Sequence, residues 1–112
     1  MKTYEGTRLP DSCWVTVNGE RLPARFDLAN HSPSGFDWGH LGGGPAQLAL
    51  AILADHLNDD DEALRLYQQF KNQVIGQLSF DGWKMNTMDV DAALAQLNED
   101  VSAHTSTSDF FD

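Results

Sequence analysis

The sequence predicts an α+β domain: a small antiparallel sheet, built on a hairpin at residues 13–26, packed against about three helices. Three observations carry this expectation. An Asn18-Gly19 dipeptide sits between alternating apolar and polar residues, the run from Pro45 to Leu57 is apolar on almost every side, and two later segments carry helical apolar spacing. A chain of 112 residues suits one core. Residues 1 to about 98 should form the domain, and residues 99–112, rich in Ser, Thr and Asp, a flexible acidic tail.

The elements follow in order. "TYEGTRL" can add a strand to the hairpin, whose paired strands are expected at 13–17 and 20–26, because Asn-Gly supplies the positive φ angles of a two-residue turn. Cys13, Val15 and Val17 should share one face, with Trp14 and Thr16 on the other. A polar loop spans Asn30 to Gly35, with a short extended segment from Phe36 to Trp38. The first helix is expected to begin at Pro45, whose φ is already helical and whose missing N–H is no loss there. Asp59, with Glu62 three residues on, resembles a capping box opening a second helix with the stripe Leu64, Tyr67, Phe70, Val74 and Leu78. Trp83 and Met85 alternate like a short strand after the Asp81-Gly82 turn. Val90, Ala93, Leu94 and Leu97 then mark a last helix.

Seven Lys plus Arg against seventeen Asp plus Glu give a formal charge of −10. Direct nucleic-acid binding is disfavoured, since phosphate contacts come mainly from Lys and Arg, whereas a basic protein partner suits such a surface. Cys13 is the single cysteine, so neither an internal disulfide nor a cysteine-based zinc site can form, and a reducing compartment fits. With no apolar run of signal-peptide or membrane-spanning length, a cytoplasmic location is expected.

"GHLGGGP" could cradle an anion, with backbone N–H groups of Gly42, Gly43 and Gly44 converging before a helix N-terminus, Gln47 reading a ligand edge and Arg8, Arg21 or Arg25 supplying countercharge. The same glycines suit, more simply, a tight bend that lets the chain pass close to packed neighbours. No Lys-Ser or Lys-Thr follows, so the segment is not a nucleoside-triphosphate P-loop. His31, His40, His56 and His104 stand at no recognised ligand spacing, so no metal and no cofactor is expected. No serine or cysteine carries a nucleophile signature, and the chain is expected not to be an enzyme.

"YEGTR", the Trp-Val-x-Val-Asn-Gly hairpin, "FDWGHLGGGPAQLALAILADHL" and "ALRLYQQFKNQVIGQL" together resemble an uncharacterised family of small proteins encoded by bacteria, phages and other mobile elements. That family's pattern is close to "FEWGYGGSGPAQLALAIL"; this chain carries Asp37 in place of Glu, His40 in place of Tyr, and Gly43 or Gly44 in place of a small polar residue. The resemblance implies no activity, and it raises the weight of anti-defence or host-takeover roles.

The leading expectation is a non-enzymatic acidic interaction protein, a phage or mobile-element inhibitor of a host nucleic-acid-handling or defence protein. It would engage a basic partner through Asp59, Asp60, Asp61 and Glu62 and through the aromatic pair Phe110 and Phe111, set between acids in "SDFFD". The alternative is a binder of a small phosphorylated ligand, a nucleotide or signalling molecule, at the glycine-rich loop.

Overall fold

The computed structural model describes residues 1–97, and the expectations for residues 98–112, including Phe110 and Phe111, lie outside the described residues. The order is β1 (Thr3–Arg8), β2 (Cys13–Val17), β3 (Glu20–Arg21), α1 (Gly43–Leu57), α2 (Asp60–Gln73), a 3-10 turn (Ile75–Gln77), β4 (Gly82–Asn86) and α3, residues 87–97. The strands lie in the order β3-β2-β1-β4, antiparallel throughout. The result is an α+β fold, with the first strand at its centre.

Register explains which face is buried. Tyr4 lies opposite Val17 and Met85, and Gly6 opposite Val15 and Trp83, so these side chains share the face turned to the helices. The other face, with Glu5, Thr7, Trp14, Arg21 and Lys84, is exposed. Ten consecutive residues of α1, Pro45 to Ala54, are buried, which makes it the central helix. Its C-terminal half is tied to β1 by Tyr4 Oη and Lys2 Nζ, both donating to Asp55 Oδ2 at 2.7 and 3.0 Å. Among the described residues no helix is long and apolar enough to cross a membrane.

The hairpin turns on Asn18 and Gly19, at φ 52° and 84°, but its second strand is shorter than the expected 20–26. The ladder ends where Leu22 N–H donates to Val15 O at 3.0 Å. Pro23 then has no N–H to continue it, and the chain leaves the sheet.

Two helices differ from the expectation. α1 begins at Gly43 rather than Pro45, because Pro45 occupies the third helical position, still within the turn whose N–H groups have no partner inside the helix. In α2 the buried residues are Ala63, Leu66 and Phe70, while Leu64 is 38% exposed. The helix stops at Gln73, so Val74 and Leu78 no longer extend its stripe, and Ala63 instead gives α1 and α2 room to approach. Asp59 caps α2 as expected, accepting from Glu62 N–H at 3.2 Å, but Glu62 turns to Arg65 instead of completing the box. A reciprocal box opens α3: Asp89 N–H donates to Asn86 Oδ1 and Asn86 N–H to Asp89 Oδ2, at 2.9 and 3.0 Å.

The glycines at the start of α1 are needed for close approach. A Cβ at Gly43 would overlap the carbonyl oxygen of His31, and one at Gly44 would lie 2.6 Å from Asp37 Cβ and 3.0 Å from its nitrogen. At Gly42 it would meet only the ring edge of His40, at 3.1 Å. Gly→Ala in a helix ordinarily gains stability, so the overlap decides the sign. Gly44→Ala should cost about 1–3 kcal/mol in urea unfolding and Gly42→Ala markedly less; equal stabilities would refute the packing role.

Candidate functional site

A concavity opens where the hairpin leaves the sheet. It is a groove of about 640 Å³ between the edge of β2 and the segments 21–26 and 33–36, a volume in the range of ligand sites. Trp14 (43% exposed), Phe26 (45% exposed) and Phe36 give it aromatic walls, with Leu22, Pro23 and Pro33 beside them. Among the described residues Arg21 and Arg25 are its charged lining residues, and no acid lines it. The Arg21 guanidinium stacks on Trp14, 4.9 Å from the ring centroid, and makes no ion pair among the described residues. Arg25 is differently placed. At φ 59° it holds a left-handed backbone, and its guanidinium binds Asp27 at 3.0 Å and Asp60 at 2.8 Å, joining the groove wall to the start of α2.

Two connections hold the walls, the first of them buried. Gln47, in the first turns of α1, is fully buried: Nε2 donates to Ala24 O at 2.6 Å and Ala29 O at 3.0 Å, and Oε1 accepts from His31 N–H at 2.8 Å. One amide thus satisfies three backbone groups of the 24–31 loop that no strand pairs. The second connection fixes Phe36 through its neighbour. Asp37 Oδ1 accepts from Arg8 Nη2 and from Trp38 N–H, both at 2.8 Å, and Asp37 Oδ2 binds His40 Nε2 at 3.0 Å. Gly42 N–H donates to His40 Nδ1 at 3.1 Å, which leaves the ring proton on Nε2, facing Asp37. Arg8 also donates through Nε to Phe80 O at 2.7 Å, with its guanidinium over the rings of Phe80 and Trp38 at 3.8 and 4.8 Å.

Burial alone would raise the Asp37 pKa, but the hydrogen bonds from His40, Arg8 and the Trp38 N–H outweigh it and hold the carboxyl at about 2. Cys13 goes the other way: burial and the Asp37 charge raise it against the pull of Arg8, so the thiol stays protonated at neutral pH. Its Sγ lies 3.6 Å from Asp37 Oδ1, so the carboxylate stands between sulfur and imidazole. A cysteine nucleophile needs the base beside the sulfur and the acid behind the base, which is the reverse order.

The residues of this connection come from the same segments that carry the sequence resemblance. The match to a family profile runs over residues 4–96, from β1 to α3. The chain belongs to DUF6166, a family of unknown function. No curated protein and no solved structure matches it significantly. Within the DUF6166 match lie β1 with Arg8, β2 with Cys13 and Trp14, the Asp37 segment and Gln47, that is, the whole groove and both of its connections.

The expected ligand residues fall apart into different jobs. Arg8 is engaged with Asp37 and Phe80, Gln47 with the 24–31 loop, and Gly42 with His40. Gly44 packs on the backbone and Cβ of Asp37. In the acidic cluster Asp59 is a cap, Asp60 pairs with Arg25, Glu62 with Arg65, and Asp61 is exposed. Among the described residues no three His, Cys, Asp or Glu side chains converge as a metal set. The groove was not read from the sequence. The available signal was a proline directly after the hairpin, which ends pairing on one side of Trp14.

Because folding lowers the Asp37 pKa from 3.8 to about 2, its stabilisation is complete above the unfolded value and disappears as pH falls through the folded one. Asp37→Asn should therefore lower the urea midpoint at pH 7, with the gap from wild type closing between about pH 4 and pH 2. A gap that stays constant across that window would rule out the ion-pair account.

Proposed function

We propose that the protein is a non-enzymatic interaction module that takes an extended apolar segment of a basic partner protein into the Trp14–Phe26–Phe36 groove. The observation that carries this reading is the exposure of two large aromatics, Trp14 and Phe26, along a ligand-sized groove with held walls. Isolated exposed apolar residues are ordinary, whereas aromatics gathered around one concavity mark binding surfaces. Arg21, stacked on Trp14 and without an ion pair among the described residues, is placed to hydrogen-bond a carbonyl or carboxylate of the docked segment.

The charge of −10 supports the basic character of the partner, since complementary fields speed encounter and exclude like-charged competitors. Asp60 pairs with Arg25 of the groove lining, and Asp59, Asp61 and Glu62 follow around it at the start of α2, an acidic cluster suited to a basic body. The resemblance to proteins of phages and mobile elements supports a host target in the cytoplasm, a protein that handles nucleic acid or takes part in defence. The phosphorylated-ligand reading has less support, because Gln47, Arg8 and Gly42 all have partners within the protein.

A random-peptide display library panned against the immobilised full-length protein tests this reading. Peptides with aromatic or branched apolar residues and basic flanks should be enriched, bind more weakly as salt is raised, and be lost on Trp14→Ala. Enrichment that is absent, or equal on wild type and Trp14→Ala, would end the proposal.

A further inference from the structure

The charges of this chain are unevenly distributed. Four of its seventeen acids, Glu99, Asp100, Asp109 and Asp112, lie beyond residue 97, and none of its seven Lys and Arg does. The same stretch ends in Ser-Asp-Phe-Phe-Asp, with Phe110 and Phe111 between acids. The groove has the complementary chemistry, with aromatic walls, two arginines and no acidic lining residue on a protein that is otherwise strongly acidic.

We infer that the segment around Phe110 and Phe111 docks in the Trp14–Phe26–Phe36 groove of its own chain, with Asp109 or Asp112 on Arg21, and so competes with the partner for that site. This rests on the groove reading above. Length permits a long reach: the thirteen residues from 98 to 110 span up to about 40 Å when extended. The starting point also permits it. α3 is joined to the end of α1 by His56 and Asp91, at 2.7 Å. The adjacent Asp55 lines a smaller pocket of about 80 Å³ with Leu22, Pro23 and Arg25, which also line the groove.

The energetics favour a weak, displaceable contact. Stacking of two phenyl rings on exposed aromatics gains apolar burial, and Arg21 brings an unpaired guanidinium to a carboxylate. Ordering the segment opposes both. Tethering offsets that cost, because a short linker holds the segment at an effective concentration in the millimolar range. A partner segment without acids, carried on a basic body, gains from the long-range field that the acidic tail works against.

The three indole N–H resonances of the ¹⁵N-labelled full-length protein provide the test, Trp14 being assigned by its loss in Trp14→Ala. The double variant Phe110→Ser/Phe111→Ser leaves every described core residue untouched. It should shift the Trp14 resonance while those of Trp38 and Trp83 stay in place. A synthetic peptide of residues 104–112, titrated into that variant, should move Trp14 back saturably, and less at high salt. An unchanged Trp14 resonance with no response to the peptide would overturn the inference, as would movement of all three indoles alike. A difference that grows with protein concentration would also overturn it, assigning the segment to a second copy. If display peptides still bind while Trp14 ignores the Phe110 and Phe111 substitutions, this inference fails alone and the groove reading stands.

Discussion

A single amide determines where the irregular half of this protein lies. Gln47 is the one buried polar residue among the described core, set in a helix otherwise wrapped in alanine and leucine. An amide in such a place is costly unless its donors and acceptor are all engaged, and here three backbone groups of the 24–31 loop engage them. The dependence is mutual. Without the loop Gln47 would be an orphan in the core, and without Gln47 the loop would have Ala24 O, Ala29 O and His31 N–H to satisfy elsewhere, at about 1–3 kcal/mol for each group left buried and unpaired.

That clamp has a consequence for recognition. A loop of this length would ordinarily be mobile and a poor wall for a binding site. Held to the central helix at both ends, through Ala24 and through Ala29 and His31, and to α2 through Arg25 and Asp60, it keeps Phe26 in the groove with Trp14. Asp37 does the same for Phe36, with Arg8 reaching across from the middle strand. The ordering cost of the groove is therefore met on folding, which leaves more of any docking energy to appear as affinity. The ionisable residues that sequence reading offered as ligand contacts, Arg8 above all, contribute by holding these walls.

Much of the fold was legible because its signals are local. Asn18-Gly19 specifies the hairpin turn through its backbone angles, the Ala-Leu composition of 45–57 marks a helix buried all round, and Asp59 caps the next. What sequence did not show depends on residues far apart in the chain. Nothing near Leu64 says that α2 will stop at Gln73 and turn Leu66, not Leu64, inward. The β1–β4 pairing joins residues some eighty positions apart, and Arg8 meets Asp37 across twenty-nine. Gln47 was noticed for its position at the helix start, but its partners lie in a loop whose path only the packed structure defines. Both explanations for the glycines were legible; the contacts that a Cβ would make at Gly43 with His31 and at Gly44 with the backbone and Cβ of Asp37 bear out the close approach.

Amide hydrogen exchange at His31 is the most direct measurement of the clamp. Its N–H donates to a fully buried acceptor, so it should exchange as slowly as the amides at the centre of α1, opening only when the whole domain unfolds. Exchange of His31 at the rate of an unprotected loop amide, with α1 still protected, would mean that Gln47 does not hold the loop and that the groove has no fixed wall.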